Sequence, residues 1–480
     1  MKFGLDDSII EKLQAVLETC PKIDKAYIFG SRAKGNYRAD SDIDIAVKGY
    51  NITLDDIIKL GVAFEENSIT HTIDLLDYNN IKEPALAEHI DRVGIEFYSR
   101  WKEYKFSDFV EINPSVRLKN GQEYSFVEMK DLTDGNKFCF PNEIRKLSGG
   151  ARFQEKDTLF ARITPCLENG KISQVKGLQT GVGFGSTEFF VFRGKKDISD
   201  NDFVFYLSRW DEVRNFAESN FVGTSGRQRV PKDCFENLTL FLPPLAEQTA
   251  IASILSSLDD KIDLLHRQNK TLEDLAETLF RQWFVEADTE KTELGKVVKT
   301  SSGGTPSRST IEYYNSGTIK WVKSKELKGD FIFDTEEMIT EDAIKYSSAK
   351  LLPKHTILIA MYGATVGEYG ILAEPSSCNQ AICALLPNEN YPYTILFIIA
   401  KHYKENLIGL AVGSAQQNIS QELIKQFEIP SSTQKIREFH NAVANMFEKI
   451  KTNQTQIRTL TQLRDTLLPK LVSGEVRVKM

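Results

Sequence analysis

One feature constrains this chain more than any other: it repeats itself at long range. Thr271-Leu272-Glu273-Asp274-Leu275-Ala276-Glu277-Thr278-Leu279 lines up with Thr459-Leu460-Thr461-Gln462-Leu463-Arg464-Asp465-Thr466-Leu467 at an offset of 188, and Asp260-Lys261-Ile262 matches Glu448-Lys449-Ile450 at the same offset. Gly223-Thr224-Ser225-Gly226-Arg227-Gln228 resembles Gly413-Ser414-Ala415-Gln416-Gln417-Asn418 at offset 190, and Lys156-Asp157-Thr158-Leu159-Phe160 resembles Lys354-His355-Thr356-Ile357-Leu358 at offset 198. The order never changes, and loop insertions account for the drift. A repeat of this length means that one architecture is built twice. Residues 101–480 therefore read as globular module, helix, globular module, helix.

Short apolar runs such as Glu188-Phe189-Phe190-Val191-Phe192 and Thr356-Ile357-Leu358-Ile359-Ala360, broken by Gly and Pro, predict mixed, β-rich modules. The helical segments differ. Ile251, Leu255, Leu258, Ile262, Leu265, Asn269, Leu272, Ala276 and Leu279 follow a 4-3-4-3 spacing with one polar position, Asn269. Phe439, Val443, Met446, Ile450, Asn453, Ile457, Leu460 and Leu467 form a second stripe, which Arg464 interrupts. Sustained heptads favour two helices packed on each other, with polar seam residues fixing register. The alternative is two amphipathic helices packed on their own modules. Residues 248–280 as helix would span about 50 Å at 1.5 Å per residue, the scale of a spacer between two DNA half-sites.

Composition restricts the function classes. No apolar run approaches the ~20 residues of a membrane span, and no secretory leader is expected. The six cysteines (20, 139, 166, 234, 378, 383) form no CxxC pair, so neither a zinc site nor a disulfide framework is indicated and a reducing cytoplasm fits. The net charge of -7 argues against DNA binding only superficially. Residues 1–100 carry 18 Asp and Glu against 12 Lys and Arg, which leaves residues 101–480 nearly balanced.

Further motifs refine the reading of residues 101–480. They are Leu242-Pro243-Pro244-Leu245-Ala246-Glu247-Gln248 and Ile429-Pro430-Ser431-Ser432-Thr433-Gln434 at the two helix starts, Gly303-Gly304-Thr305-Pro306, Met361-Tyr362-Gly363-Ala364-Thr365-Val366-Gly367, Asn379-Gln380-Ala381-Ile382, and Leu467-Leu468-Pro469-Lys470-Leu471-Val472-Ser473-Gly474. With these, the region resembles the specificity subunits of type I restriction–modification systems. The resemblance implies that each module is a target-recognition domain reading one half of a split site in double-stranded DNA. It implies that the paired helices hold the modules apart and dock methyltransferase subunits, and that a motor-nuclease subunit joins for restriction. Such a subunit does no chemistry on DNA. In agreement, there is no Asn-Pro-Pro-aromatic motif, Gly170-Lys171 is followed by Ile172 and so is no P-loop, and Gly181-Val182-Gly183-Phe184-Gly185 lacks a dinucleotide-site context. Arg227, Gln228 and Arg229 in the first module and Gln416, Gln417 and Asn418 in the second have base-reading chemistry on Gly-flanked loops. Because both modules share these loops, a structural or phosphate-contacting role competes with base readout. Arg162 and Lys171 are weaker candidates for backbone contact.

The first hundred residues carry a separate motif. A strand over Lys25-Ala26-Tyr27-Ile28-Phe29 leads into Gly30-Ser31-Arg32-Ala33-Lys34-Gly35, expected as a turn; a second strand, Asp42-Ile43-Asp44-Ile45-Ala46-Val47, sets Asp42 and Asp44 on one face. Leu54 to Phe64 is helix-like, and a third strand, Thr72 to Leu76, offers Asp74. Carboxylates projecting together repel unless a cation lies between them, and Mg²⁺ takes carboxylate and phosphate oxygens. A Gly-Ser turn can cradle a triphosphate, two metal ions can stabilise in-line displacement, and Asp74 can complete the metal site or accept a hydroxyl proton. Gly30-Ser31, Asp42, Asp44, Asp74 and the closing run Gly94 to Tyr98 resemble the minimal nucleotidyltransferases of the DNA polymerase-beta-like superfamily. The resemblance implies binding of Mg²⁺ and a nucleoside triphosphate such as ATP, with Gly30, Ser31 and Arg32 on the nucleotide, and transfer of a nucleoside monophosphate to a hydroxyl. The short junction Tyr98-Ser99-Arg100-Trp101 predicts fixed geometry to the next domain.

The expected fold class is multidomain α+β: a mixed-sheet nucleotidyltransferase fold over 1–100, target-recognition domains over 101–245 and 287–430, and helices over 246–286 and 431–480 forming an antiparallel coiled coil. The expected function is a DNA specificity subunit with a fused transferase. The competing readings are a transferase whose C-terminal region only selects its target, and a scaffold in which neither site acts.

Overall fold

The computed structural model describes residues 2–67, 69–224, 226–411 and 418–478. The chain packs as two units, Met1–Asp260 with Thr461–Met480, and Lys261–Leu460. The architecture is mixed α/β and multidomain. Among the described residues no helix is long and apolar enough to cross a membrane.

The first unit opens with α1 (Asp7–Glu18), β1 (Ile23–Ile28), α2 (Gly30–Lys34), β2 (Ile43–Gly49), α3 (Leu54–Glu66), β3 (Ile73–Asp77), α4 (Pro84–Val93) and β4 (Ile95–Ser99). The sheet runs β3-β2-β1-β4, parallel only between β2 and β3. Ile43, Ile45 and Val47 of β2 share a core with Leu13 and Leu17 of α1 and Leu60 and Phe64 of α3. Ala46, on the face of Asp44, packs with Phe29 and Ile90. Thr53 and Asp56 form a capping box that starts α3. The expected turn at residues 30–35 is instead a single helical turn closed by Gly35 in the left-handed conformation (φ 76°).

Two modules of one topology follow, each within its own unit. In the first, a five-stranded sheet has the order Val110–Ile112, Phe189–Gly194, Thr158–Ala161, Ile172–Val175, Phe138–Cys139. In the second, the order is Lys299–Ser302, Ile382–Leu386, Ile357–Ala360, Tyr369–Leu372, Phe331–Ile332, and the last pair is parallel in both. Each module adds a smaller sheet, and each closes with a two-stranded ladder: Thr239–Leu242 on Lys102–Lys105, and Glu428–Pro430 on Lys291–Glu293. The repeat read from sequence is thus a repeat of fold, but its fine register is one residue out. The ladder pairs Thr158 with Phe192 as it pairs Ile357 with Leu385, so Thr158 corresponds to Ile357 and not to Thr356. Both central strands are buried on both faces, so their apolar pattern has no alternation to fix register.

Two long helices complete the chain, Leu245–Phe280 and Thr433–Val472, the first ending in a π-helical turn at Arg281–Val285. In the first unit, Ile251 and Leu255 share a core with Leu468 and Leu471. Arg464, which interrupts the second stripe, is 1% exposed and donates to Asp259 Oδ1 (2.6 Å) and to the Gly135 carbonyl (2.6 Å). Asp259 also accepts from the Tyr206 hydroxyl (2.7 Å). In the second unit, Asn453 donates to Asn269 Oδ1 (2.8 Å), both buried, and Ala276 and Phe280 pack with Phe439 and Val443.

Removing one partner of a buried ion pair leaves an uncompensated charge. Arg464→Leu is expected to destabilise the first unit by about 3–5 kcal/mol, read as a lower melting midpoint. Adding Asp259→Leu is expected to recover most of that loss; a melt unchanged by the single substitution would show that the pair does not hold the helix.

A candidate carboxylate centre and a candidate nucleic-acid interface

β2 and β3 run parallel with Asp44 directly beside Asp74, and Asp42 stands one residue ahead of β2. Asp42 and Asp74 are exposed and Asp44 is half-buried. Burial first, then the negative charges of Asp74 and Asp42, raise the Asp44 pKa above the ordinary carboxylate value, and Arg32 only partly offsets this. The carboxylates therefore sense one another. They do not converge on one point: among the described residues no group of three or more His, Cys, Asp or Glu is placed to hold a metal ion. The expected set of Asp42, Asp44 and Asp74 is thus not among such groups. The donor set still suits Mg²⁺, which commonly takes one or two carboxylates with phosphate oxygens completing the shell.

Gly30 explains why this position is glycine. Its φ is 69°, and a Cβ there would lie 2.0 Å from Asp44 Oδ2. The backbone of α2 thus approaches the carboxylate as no side-chain-bearing residue could. Ser31 follows in the first turn of α2, whose amides have no helical acceptor. Arg32 departs from its expected nucleotide contact. It is 2% exposed, and its guanidinium donates to the carbonyls of Ser41 (2.6 and 3.1 Å), Asp42 (3.1 Å) and Phe3 (3.2 Å). It orients the Asp42 loop from beneath, a positioning role that the linear motif does not reveal.

Side-chain contacts tie the short junction to its surroundings. Trp101 Nε1 donates to Glu247 (3.1 Å), and Arg477 reaches Glu247 (2.8 Å) and Asp24 (2.8 Å) while stacking on Trp101.

The residues expected on DNA fare unequally. Lys171 donates to the Met129 carbonyl (2.7 Å), and Arg229 grips Glu188 through two nitrogens (2.8 and 3.0 Å), so both are engaged within the module. The Gln228 backbone is tied to Thr164 (3.0 Å each way), which leaves Arg227 exposed at the loop. Arg162 donates to the Val230 carbonyl (2.6 Å) and lies over Phe190. Asn418 is exposed and bridges Tyr362, while Gln416 and Gln417 lie outside the described residues. Sequence reasoning passed over Arg152 and Lys232, which with Arg162 and Thr187 line a groove of about 420 Å³. They are far apart in the chain, and only the fold assembles them. Gly150 (φ 103°) forms part of the wall, where a Cβ would meet the Gly185 carbonyl at 1.9 Å.

Because burial and like charge raise the Asp44 pKa, its folded value lies above its unfolded one. The associated stability is present below the unfolded pKa and is lost as pH rises through the folded pKa. Ionised Asp44 is then a burden at neutral pH. Asp44→Asn is expected to raise the melting midpoint at neutral pH, with the gain shrinking towards about pH 4. A gain independent of pH would refute the electrostatic account.

Comparisons with known proteins bear on both regions. Residues 98–274 and 286–457 match the type I restriction modification DNA specificity domain, and residues 11–103 match the polymerase beta nucleotidyltransferase family. The chain is 25% identical over 469 residues to the type I restriction enzyme HindI specificity subunit of Haemophilus influenzae, covering 79% of this chain and 100% of that one. It is 24% identical over 414 residues to the MjaIX specificity subunit of Methanocaldococcus jannaschii, covering 79% and 94%. A solved S subunit of a type I restriction–modification system from M. genitalium superposes with TM-score 0.44 at 18% identity, over 79% of this chain and 96% of that one.

Proposed function

The chain belongs to the type I restriction–modification DNA specificity family, and from that premise we propose that its two modules each read one half of a split DNA site for a methyltransferase bound in the same complex. The observation that carries this is the doubled topology: one two-sheet scaffold is made twice, with different side chains at equivalent places. A site of two unlike halves calls for that arrangement. The subunit does no chemistry on DNA; methyltransferase subunits supply modification and motor-nuclease subunits supply restriction. The long helices serve as an antiparallel coiled coil on which the methyltransferase subunits dock. Supporting this, Asn269 meets Asn453 and Asp259 meets Arg464, so partner numbers rise on one helix as they fall on the other.

The N-terminal domain is a nucleotidyltransferase. Asp42 and Asp44 would hold Mg²⁺ with the triphosphate of ATP, and the ion would neutralise phosphate charge. Gly30 and Ser31 lie where α2 can receive the phosphates, Arg32 fixes the Asp42 loop, and Asp74 accepts the proton of the attacking hydroxyl. Supporting this, the Asp44 pKa is raised by burial and then by the neighbouring charges of Asp74 and Asp42, a perturbation common at functional sites.

The test is co-purification with a co-expressed type I methyltransferase subunit, followed by methylation mapping of genomic DNA. Modification at one split motif is expected; no complex and no motif would overturn the specificity reading. With labelled ATP, Asp42→Asn and Asp44→Asn are expected to abolish transfer and Asp74→Asn to slow it by about 10²–10⁴-fold. The mapped motif is expected to stay unchanged, and loss of the motif in these variants would show that the two roles are not separate.

A further inference from the structure

The two modules can be compared position by position, because matching hydrogen bonds fix the correspondence. Arg162 N donates to the Glu188 carbonyl and Val230 N to the Arg162 carbonyl; Met361 N donates to the Ala381 carbonyl and Ile419 N to the Met361 carbonyl. Ser186 N reaches the Val127 carbonyl as Asn379 N reaches the Val322 carbonyl. Phe153 pairs with Gly183 as Leu352 pairs with Ser376. In this register Arg152 corresponds to Leu351, Arg162 to Met361, Thr187 to Gln380, and Lys232 to Gln421.

The three cations lining the first module's groove, Arg152, Arg162 and Lys232, are thus replaced by uncharged side chains at the corresponding positions of the second. Leu351 is 52% exposed, Met361 is buried, and Gln421 donates to Thr300 (2.8 Å). Scaffold positions agree between the modules, and the groove positions diverge. Arg152, Lys232 and Thr187 are exposed, and among the described residues neither Arg152 nor Lys232 forms an ion pair. Contrast Arg229, whose charge Glu188 already neutralises.

Resting on the specificity reading above, we propose that the groove of Arg152, Arg162, Thr187 and Lys232 is the DNA contact surface of the first module, with Arg152 and Lys232 as its contacting cations. The second module keeps one exposed cation on the corresponding surface, Lys350 at the position of Ala151, where it donates to Ser301 (3.4 Å). Its exposed Leu351 and Gln380 have the chemistry that recognises a thymine methyl and an adenine edge, whereas cations grip phosphate or guanine. With Arg152 and Lys232 against Lys350 alone, the first half-site is expected to carry the larger share of the salt dependence.

The experiment uses the full chain in complex with its methyltransferase subunits. Affinity for a duplex bearing the mapped motif is measured between 50 and 200 mM salt, for wild type, Arg152→Gln, Lys232→Gln and the double variant. Each lost phosphate contact is expected to lower the slope of log K against log salt by about one, and so by about two in the double variant. The change is expected to persist on a duplex truncated to lack the second half-site and to vanish on one truncated to lack the first, since phosphate contacts do not depend on sequence. Relaxed methylation at a position of the first half alone would equally support the assignment, identifying a base contact. Unchanged slopes with an intact motif would overturn the groove while leaving the specificity reading in place. A wild-type complex that methylates no motif would overturn the reading itself. Should the double variant fail to assemble, the exposed single variant Lys232→Gln decides by the same slope.

Discussion

A buried guanidinium decides how the end of this chain returns to its beginning. Arg464 sits 1% exposed between Asp259 and the Gly135 carbonyl, and Tyr206 closes the network on Asp259. One cation thereby joins the last long helix, the first long helix and the first module. Desolvating such a group is unfavourable unless every partner is placed, so the network tolerates one register of the two helices. The Asn269–Asn453 pair repeats that logic in the second unit with neutral groups. The apolar residues along both helices provide adhesion, which is non-directional; the polar pairs provide uniqueness. Residues 461–478 could otherwise have packed anywhere an apolar stripe fits.

The N-terminal domain shows the converse use of burial. Asp44 is held half-buried beside two other carboxylates, with Gly30 pressed against it and Arg32 turned to backbone carbonyls beneath. A structural cation would normally be set to neutralise such a cluster. Here the nearby arginine is committed to shaping the loop, and Asp42 and Asp74 face solvent. That is a strained electrostatic arrangement of the kind found at functional sites, carried on a β-sheet rigid enough to hold it.

The doubled modules separate scaffold from recognition. Strand order, the parallel edge pair and the closing two-stranded ladder recur, while the groove exchanges three cations for uncharged side chains. A sheet buried on both faces is costly to alter, because each strand packs against two layers. Loop and edge side chains facing solvent carry no such penalty. A duplicated scaffold can therefore diverge in what it touches while conserving how it folds.

Much of this was legible in the sequence. Long-range repetition and heptad spacing are periodic signals, so they disclosed two like modules and two long helices, and the Asp-x-Asp, Asp pattern marked Asp44 and Asp74, which adjoining strands set side by side. The sequence likewise marked Asn269 and Arg464 as exceptions on apolar stripes, without revealing what each would meet. Partners lay beyond it: Asp259 for Arg464, Asn453 for Asn269, the Asp42 loop for Arg32. So did the one-residue register of the central strands, which an all-apolar run cannot encode, and the groove that joins Arg152 to Lys232. Those depend on which distant segments a closed hydrogen-bond ladder and a dry core bring together, and only the folded chain satisfies both at once.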